Sequence, residues 1–478
     1  MRFRIRSRRF DESKGCYVYD ISFKTRSDLT ERTVKVAEAF GLGIDDEREH
    51  AVYRGFELTL RRGDVVYVTG DSGSGKSALL REIERDLGEE AVNIADVQPD
   101  PSKPIVDTVG SSFQEALGLL SRVGLNDAFL FLRRYPELSD GQKYRYRIAK
   151  MIDSGKRFWL CDEFCSLLDR DTAKIVSFNI QKMARRSGAT LIVATSHTDL
   201  EEDLNPSIMI RKGWEDEISV DYRDNREAVE CTATKGITIR EGSKRDYSRL
   251  SKFHYRDSRI GIPVKIFCAE KDGDLVGVIV YQRPSPVASG RSMAVGYSPR
   301  MEELNRDWAT ISRVVVHPKF RSTGLGVRLV RDTLPLCGRR HVELIAVMAQ
   351  YNPFAERAGM RKIKETRPDR TVTAAVESLR GLGFSPVMLS SVGENLRILR
   401  GLGEGEVGRV KEILLSVDSV YYRKMIGRAK IFCRASDFKE FLSSVSLEGL
   451  ARVLKMLSVL SEPKAYLYWC RDWVDGNV

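Results

Sequence analysis

"GDSGSGKSALL", residues 70–80, follows the apolar run "DVVYVT" (64–69) and leads into "ALLREIERDL" (78–87). The pattern predicts a buried strand, a tight glycine loop and a helix. Gly70, Gly75, Lys76 and Ser77 fit GxxxxGK[ST], whose chemistry is phosphate binding. Backbone N–H groups of Gly70, Asp71, Ser72, Gly73, Ser74 and Gly75 would wrap the phosphate oxygens, with the positive end of the helix behind them. Lys76 would reach the β- and γ-phosphates and Ser77 would ligate Mg²⁺. A metal held there also needs a carboxylate at the end of an apolar strand. "RFWLCDE" (157–163) supplies Asp162 for the metal, and Glu163 beside it to polarise an attacking water.

Composition bounds the rest. The 478 residues suffice for about three domains. With 42% hydrophobic and 30% charged residues, the chain reads as soluble and globular. Lysine and arginine outnumber aspartate and glutamate by 78 to 67, a net charge of +11 that favours an anionic partner such as DNA or RNA. The eight cysteines form neither a disulfide framework nor a CxxC pair, so buried reduced thiols and a cytoplasmic location are expected. The opening "RFRIRSRRF" lacks the apolar stretch of an export signal. No uncharged apolar run approaches the ~18 residues of a membrane helix, so the chain alone is not expected to form a transport channel.

"ELSDGQKYRYRIAKMI" (137–152) separates the classes of P-loop protein. Together with the loop at 70–77 it resembles the ATPase domain of the ABC superfamily, whose signature is commonly LSGGQ. Ser139 lies 23 residues before Asp162, and "SLLD" (166–169) resembles the D-loop. "LIVATSH" ends in His197, 34 residues after Glu163, where the family has its switch histidine. Gln98 resembles the Q-loop glutamine that senses metal and γ-phosphate. Phe40 resembles the aromatic that stacks on adenine, and a core phenylalanine fits equally well. The resemblance implies that Ser139, Gly141 and Gln142 of one copy cover the phosphate loop of another, hence a homodimer around two ATP. Asp140 replaces the usual glycine of the signature and would repel a γ-phosphate unless it points away.

Polar "RDNREAVECTATK" (223–235) reads as a linker after a first domain over 1–222. A domain over 236–365 follows. It begins with a short strand and a basic helix (244–259) N-capped by Asp246, and continues with a hairpin over 264–282 turning at "KDGD". "VVVHPKFRSTGLG" (314–326) then gives a strand, a glycine loop and a helix. It resembles motif A of the GNAT acyltransferases, which implies that Arg321, Gly324 and Gly326 hold the pyrophosphate of acetyl-CoA. "NPFAERAGM" (352–360) resembles the motif beside the pantetheine arm. The combined resemblance, over most of 36–365, is to archaeal-type ABC ATPases fused to a predicted acetyltransferase, and more loosely to phage proteins that modify DNA adenine. His317 and His254 are candidate general bases and Tyr351 a candidate acid; structural roles compete for each. Residues 366–478 show helical periodicity and no catalytic constellation.

The expected fold class is therefore α/β, an ABC-type P-loop NTPase domain followed by a GNAT acyltransferase domain and a mainly helical C-terminal region. The expected function is an ATP- and Mg²⁺-dependent ATPase coupled to acetyl-CoA-dependent N-acylation of a nucleic acid. The interleaved Tyr247, Phe253 and Tyr255 of the basic helix suit base stacking there, and a core stripe of Leu250 and Phe253 is the other reading. The competing function is a ribosome- or DNA-associated ABC switch whose GNAT fold senses CoA or is inactive.

Overall fold

A computed structural model describes residues 2–11, 16–25, 28–43, 48–215, 217–254, 260–346, 352–368, 370–419, 422–423, 426, 435–460 and 463–473. Strands β1 (Arg2–Asp11), β2 (Cys16–Thr25) and β3 (Arg48–Phe56) form an antiparallel sheet. The next six strands are β4 (Val65–Gly70), β5 (Ala91–Asn93), β6 (Phe158–Cys161), β7 (Thr190–Thr195), β8 (Ile208–Lys212) and β9 (Ile218–Tyr222). Their order in the sheet is β5-β6-β7-β4-β8-β9, parallel except for β9.

The near-continuous apolar runs of β4 and β7 follow from burial on both faces. Val65, Tyr67, Trp159, Leu191 and Val193 face helices Phe113–Arg122, Asp140–Asp153 and Arg170–Ser187. Val66, Val68, Leu160, Ile192 and Ala194 face helix Lys76–Leu87 and the three-stranded sheet through Ile21, Val52 and Phe56.

A second large sheet holds β10 (Thr238–Glu241), β11 (Pro263–Lys271), β12 (Asp274–Gln282), β13 (Trp308–Val316), β14 (His341–Ala346), β15 (Arg361–Thr366) and β16 (Lys464–Cys470). Their order is β10-β11-β12-β13-β14-β16-β15, and only β13 and β14 run parallel. The hairpin expected over 264–282 turns on Asp272 and Gly273, both at positive φ (51° and 85°), as a two-residue turn between twisted strands requires.

Three expectations change. The described part of 366–478 is mainly helical, with a core of Leu379, Leu399, Val410, Leu414, Leu450 and Leu457, but strand β16 returns to the sheet between β14 and β15. The stretch 223–235 is no solvated linker: Ala228, Cys231 and Ala233 are buried with Ile175 and Phe178 against residues of the second sheet. The helix expected at 244–259 runs Lys244–Leu250, then a single tight turn to Phe253. Its N-cap is Ser243. Asp246 instead occupies the third helical position and accepts from the Ser243 N–H (2.8 Å), the reciprocal half of a capping box.

Candidate functional site

The carboxyl ends of neighbouring parallel strands converge, the crevice where open α/β sheets bind ligands. Gly70 ends β4, Asp162 follows β6 and His197 lies two residues beyond β7. A β-carbon on Gly70 (φ 150°) would strike the Lys212 carbonyl oxygen, and one on Gly75 (φ 106°) would strike Val52. Glycine is required at both places. Gly73 (φ 84°) faces open space instead.

Lys76 is 6% exposed, and its Nζ donates to the Gly70 and Asp71 carbonyls, both at 2.7 Å. Burial lowers its basicity, opposed by the negative charges of Glu163, Asp162 and Asp71, so cation and carboxylates share one site. Among the described residues, the buried Ser74 hydroxyl has no hydrogen-bond partner. An oxygen-rich anion on this loop would satisfy it, and the donor set fits a nucleotide phosphate. Ser77, the expected metal ligand, is half-buried on the first turn of the helix. Asp162 accepts the Glu163 N–H (3.0 Å), and Glu163 is held exposed at φ 48°, a strained conformation of the kind that gathers at functional sites. The His197 carbonyl accepts from the Tyr67 hydroxyl, which anchors the turn after β7.

The signature residues meet one another. Ser139 caps helix Asp140–Asp153, and its N–H donates to Gln142 Oε1 (3.0 Å). Gly141 abuts the D-loop: a β-carbon there would lie 3.3 Å from Leu168 Cδ2. The Asp140 side chain is 87% exposed and 3.8 Å from Lys143, so the departure from the usual glycine is a solvated surface charge. Gln98 is exposed on the segment after β5, and Phe40 is 76% exposed at the end of helix Glu31–Phe40. The aromatic that contacts the loop is Tyr53, whose hydroxyl donates to the Gly75 carbonyl (3.1 Å). Sequence reasoning missed it, and an aromatic in a largely polar strand ahead of the loop gave little signal.

In the second sheet, β13 and β14 pair over Trp308↔His341, Ala309↔Val342 and Thr310↔Glu343, then diverge. The last pair carries a buried network. Glu343 (1% exposed) receives Arg291 Nε and Nη2 (3.0 and 2.7 Å), the Thr310 hydroxyl (2.8 Å) and the Tyr466 hydroxyl (2.8 Å). Nothing in the sequence singled out Glu343 or Arg291, because their partners lie tens of residues away.

The glycine loop leaves β13 at the diverging side. Gly324 (φ 92°) caps helix Leu325–Thr333 and faces open space, and a β-carbon on Gly326 would touch only Val316. Such bare backbone at a helix start fits a phosphate ligand. The guanidinium of Arg321, the expected phosphate cation, donates to the carbonyls of Val316 (3.1 Å), Phe253 (3.2 Å) and Asn126.

His317 caps the turn Pro318–Phe320, accepts the Lys319 N–H at Nδ1 (3.4 Å) and packs edge-on against Phe253 (5.1 Å). Burial, then Arg321, Lys319 and Lys252, lower its basicity and favour the neutral ring. That tautomer leaves the proton on Nε2, so the free edge of the ring is a donor. His254 follows Phe253 and is half-buried. Tyr351, Tyr255, Arg256 and Arg259 lie outside the described residues. The base-stacking role of the basic helix is partly overturned. Tyr247 is 3% exposed in a core with Leu250, Ile266 and Val278, and Phe253 packs against it, while Lys244, Arg245, Arg249 and Lys252 are exposed. The described free cysteines, Cys161, Cys165, Cys231, Cys268, Cys337 and Cys470, are all buried.

A phosphate loop faced by an adjacent carboxylate pair, with an LSDGQ-type helix packed on the D-loop, defines an ABC-type ATPase domain; a GNAT-family domain follows it. Through the first of these the chain belongs to the ABC ATPases. The cytochrome c biogenesis ATP-binding export protein CcmA of Gluconobacter oxydans is 31% identical over 172 residues, 32% of this chain and 78% of CcmA. The methionine import ATP-binding protein MetN of Xanthomonas oryzae is 29% identical over 195 residues, 32% of this chain. The chain spans 57% of that MetN's length. The acetyltransferase (GNAT) family matches residues 236–360. A solved dimeric ATP-binding cassette bound to ADP and Pi overlays with a TM-score of 0.31 and 17% identity, covering 41% of this chain and 95% of that one. Among the described residues, no helix is long and apolar enough to cross a membrane.

Proposed function

We propose that the protein hydrolyses ATP in its first domain and transfers an acetyl group from acetyl-CoA to an amine of a nucleic acid in its second. The observation that carries this reading is the pair of glycine loops, each opening a helix at the end of a strand. One is faced by Asp162 and Glu163, and the other lies where β13 and β14 part. Ser77, Asp162 and Gln98 would hold Mg²⁺, which when bound would supply charge neutralisation at the phosphates. Glu163 orients the attacking water, and His197 with the signature residues of a second copy completes the site, so the working form is a homodimer. In the second domain, the loop from Pro318 to Gly326 holds the pyrophosphate by backbone N–H groups, and Arg321 keeps that loop in shape. The acceptor nitrogen takes the acetyl carbon as the C–S bond breaks; CoA leaves as the thiol and the amine loses a proton. Exposed Lys244, Arg245, Arg249 and Lys252 border the loop through Phe253 and support a polyanionic acceptor.

The test is CoA release from acetyl-CoA by the purified protein, measured with duplex DNA, single strands and tRNA. Acceptor-stimulated release with acetyl appearing on the nucleic acid is expected, and release indifferent to all three moves the acceptor to protein or small molecules. A second reading has one observation in its favour. His317 has its Nδ1 occupied and Glu343 accepts four donated hydrogen bonds, so neither offers a free lone pair as a base. The GNAT fold would then sense CoA within an ABC switch. Acetyl-CoA binding without any release would favour it.

A further inference from the structure

The loop assigned above to acetyl-CoA is built against the ATPase domain. Lys319 Nζ lies 2.8 Å from Asp169 Oδ1 and 3.1 Å from Asp171 Oδ2. Asp169 is the last residue of the D-loop stretch and caps helix Arg170–Ser187. Asp171 also pairs with Lys271 of β11 (3.2 Å). On its other side the loop meets the turn after helix Phe113–Arg122. The Ser322 hydroxyl donates to the Ser121 carbonyl (2.9 Å), and Arg321 donates to the Asn126 carbonyl. Ser322 sits at φ 63°, a left-handed conformation that a non-glycine residue keeps only when its surroundings hold it there. Beneath, Ile175 and Phe178 share one core with Phe320, the middle of the same loop.

Both anchor points lead back to the signature helix. Gly141 packs on Leu167 and Leu168, one residue before Asp169. Arg145, one turn further along, donates from Nε to the Gly141 carbonyl (3.1 Å) and from Nη1 to the Gly124 carbonyl (2.6 Å), between Ser121 and Asn126. Any displacement of Ser139–Gln142 on closing over a nucleotide is therefore delivered to both sides of the acetyl-CoA loop. A packed, hydrogen-bonded connection of this kind shifts between arrangements rather than stretching.

Resting on the proposed function, we infer that the Asp169–Asp171–Lys319–Lys271 cluster, with the Arg145 relay, couples ATP occupancy to acetyl-CoA affinity in the same chain. Linkage makes the effect reciprocal. The experiment is isothermal titration of acetyl-CoA into Glu163→Gln protein, with and without ATP and Mg²⁺, and of ATP with and without acetyl-CoA. Typical couplings amount to about fivefold or more, so a change of that size in acetyl-CoA affinity, matched in the reverse titration, is expected. Asp171→Asn removes two ion pairs, one of them to Lys319 of the acetyl-CoA loop, and changes no residue of either glycine loop; adding it should bring the ratio below about twofold while both ligands still bind. Acetyl-CoA affinity equal with and without ATP overturns the coupling and leaves the two activities standing. Full coupling in the Asp171→Asn background overturns the ionic route. Failure of acetyl-CoA to bind under any condition overturns the transferase reading, and the coupling with it.

Discussion

Arg291→Met tests the fork between β13 and β14. The Arg291 and Glu343 side chains are 5% and 1% exposed, so the pair is held almost entirely out of water. Removing one partner of a buried pair costs about 3–5 kcal/mol, because the remaining charge keeps its desolvation penalty and loses its counter-ion. Glu343 would retain two hydroxyl donors, Thr310 and Tyr466, which places the expected loss near the lower end, about 3 kcal/mol. Arg291→Met/Glu343→Gln removes the charge and keeps an amide oxygen for one hydroxyl. The double variant should therefore lose less than the single one, about 1–3 kcal/mol for the hydroxyl left unpaired. Equilibrium urea unfolding followed by tryptophan emission reads this out, since Trp308, Trp469 and Trp473, three of the chain's five, lie in or beside this sheet. An unchanged m-value identifies the same transition in each variant. A single variant within about 1 kcal/mol of wild type, or a double variant weaker than the single, would refute the buried-charge argument.

Glu163→Gln should retain ATP binding, lose about 10²-fold or more in turnover and accumulate a dimer on size-exclusion chromatography; wild-type turnover would remove Glu163 from water activation. Gly324→Val places a branched side chain at φ 92°, in the open space where backbone must meet pyrophosphate, so acetyl-CoA binding by calorimetry should collapse while ATP affinity holds. Equal acetyl-CoA affinity in that variant would move the phosphates elsewhere. Arg245, Arg249 and Lys252 changed together to alanine should flatten the salt dependence of nucleic-acid binding by about two to three log units per log unit of salt. An unchanged slope in a folded variant would exclude the helix from the interface. His341 is buried between Trp308 (4.6 Å) and the Tyr468 hydroxyl (2.7 Å), and burial, then Arg340, depress its basicity. Its folded pKa lies below its unfolded value, so its contribution is complete above about pH 6.5 and lost as pH falls through the folded value. Melting temperature should drop from pH about 7.5 to 5, less steeply in His341→Gln, and equal slopes would assign the acid sensitivity to other groups.

Much of this protein was legible in one dimension. A phosphate loop is a local object: Gly70, Gly75, Lys76 and Ser77 fall within eight consecutive residues, and the positive φ of Gly70 (150°) and Gly75 (106°) favours glycine before any distant neighbour is counted. The same holds for Asp162 and Glu163 at a strand end, and for the Asp272–Gly273 turn. The two fold classes were legible through motifs that resemble known families, LSDGQ with the loop at 70–77 and HPKFRSTGLG at 317–326. What tertiary structure decided is where side chains with distant partners spend their hydrogen bonds. Arg321 matched a ligand-binding pattern, yet its donors go to carbonyls as far off as Asn126. The polar stretch 223–235 looked solvated, but Ala228, Cys231 and Ala233 are buried with Phe178 where helix Arg170–Ser187 shares a core with the second sheet. Tyr247 sat among cations in the sequence and turned inward, since a helix lying on β11 and β12 must bury one face. Glu343 and Arg291, 52 residues apart, form a site only when β14 lies beside the segment that follows β12. Local chemistry is written in spacing, whereas a buried charge is explained only by the neighbours that folding brings to it.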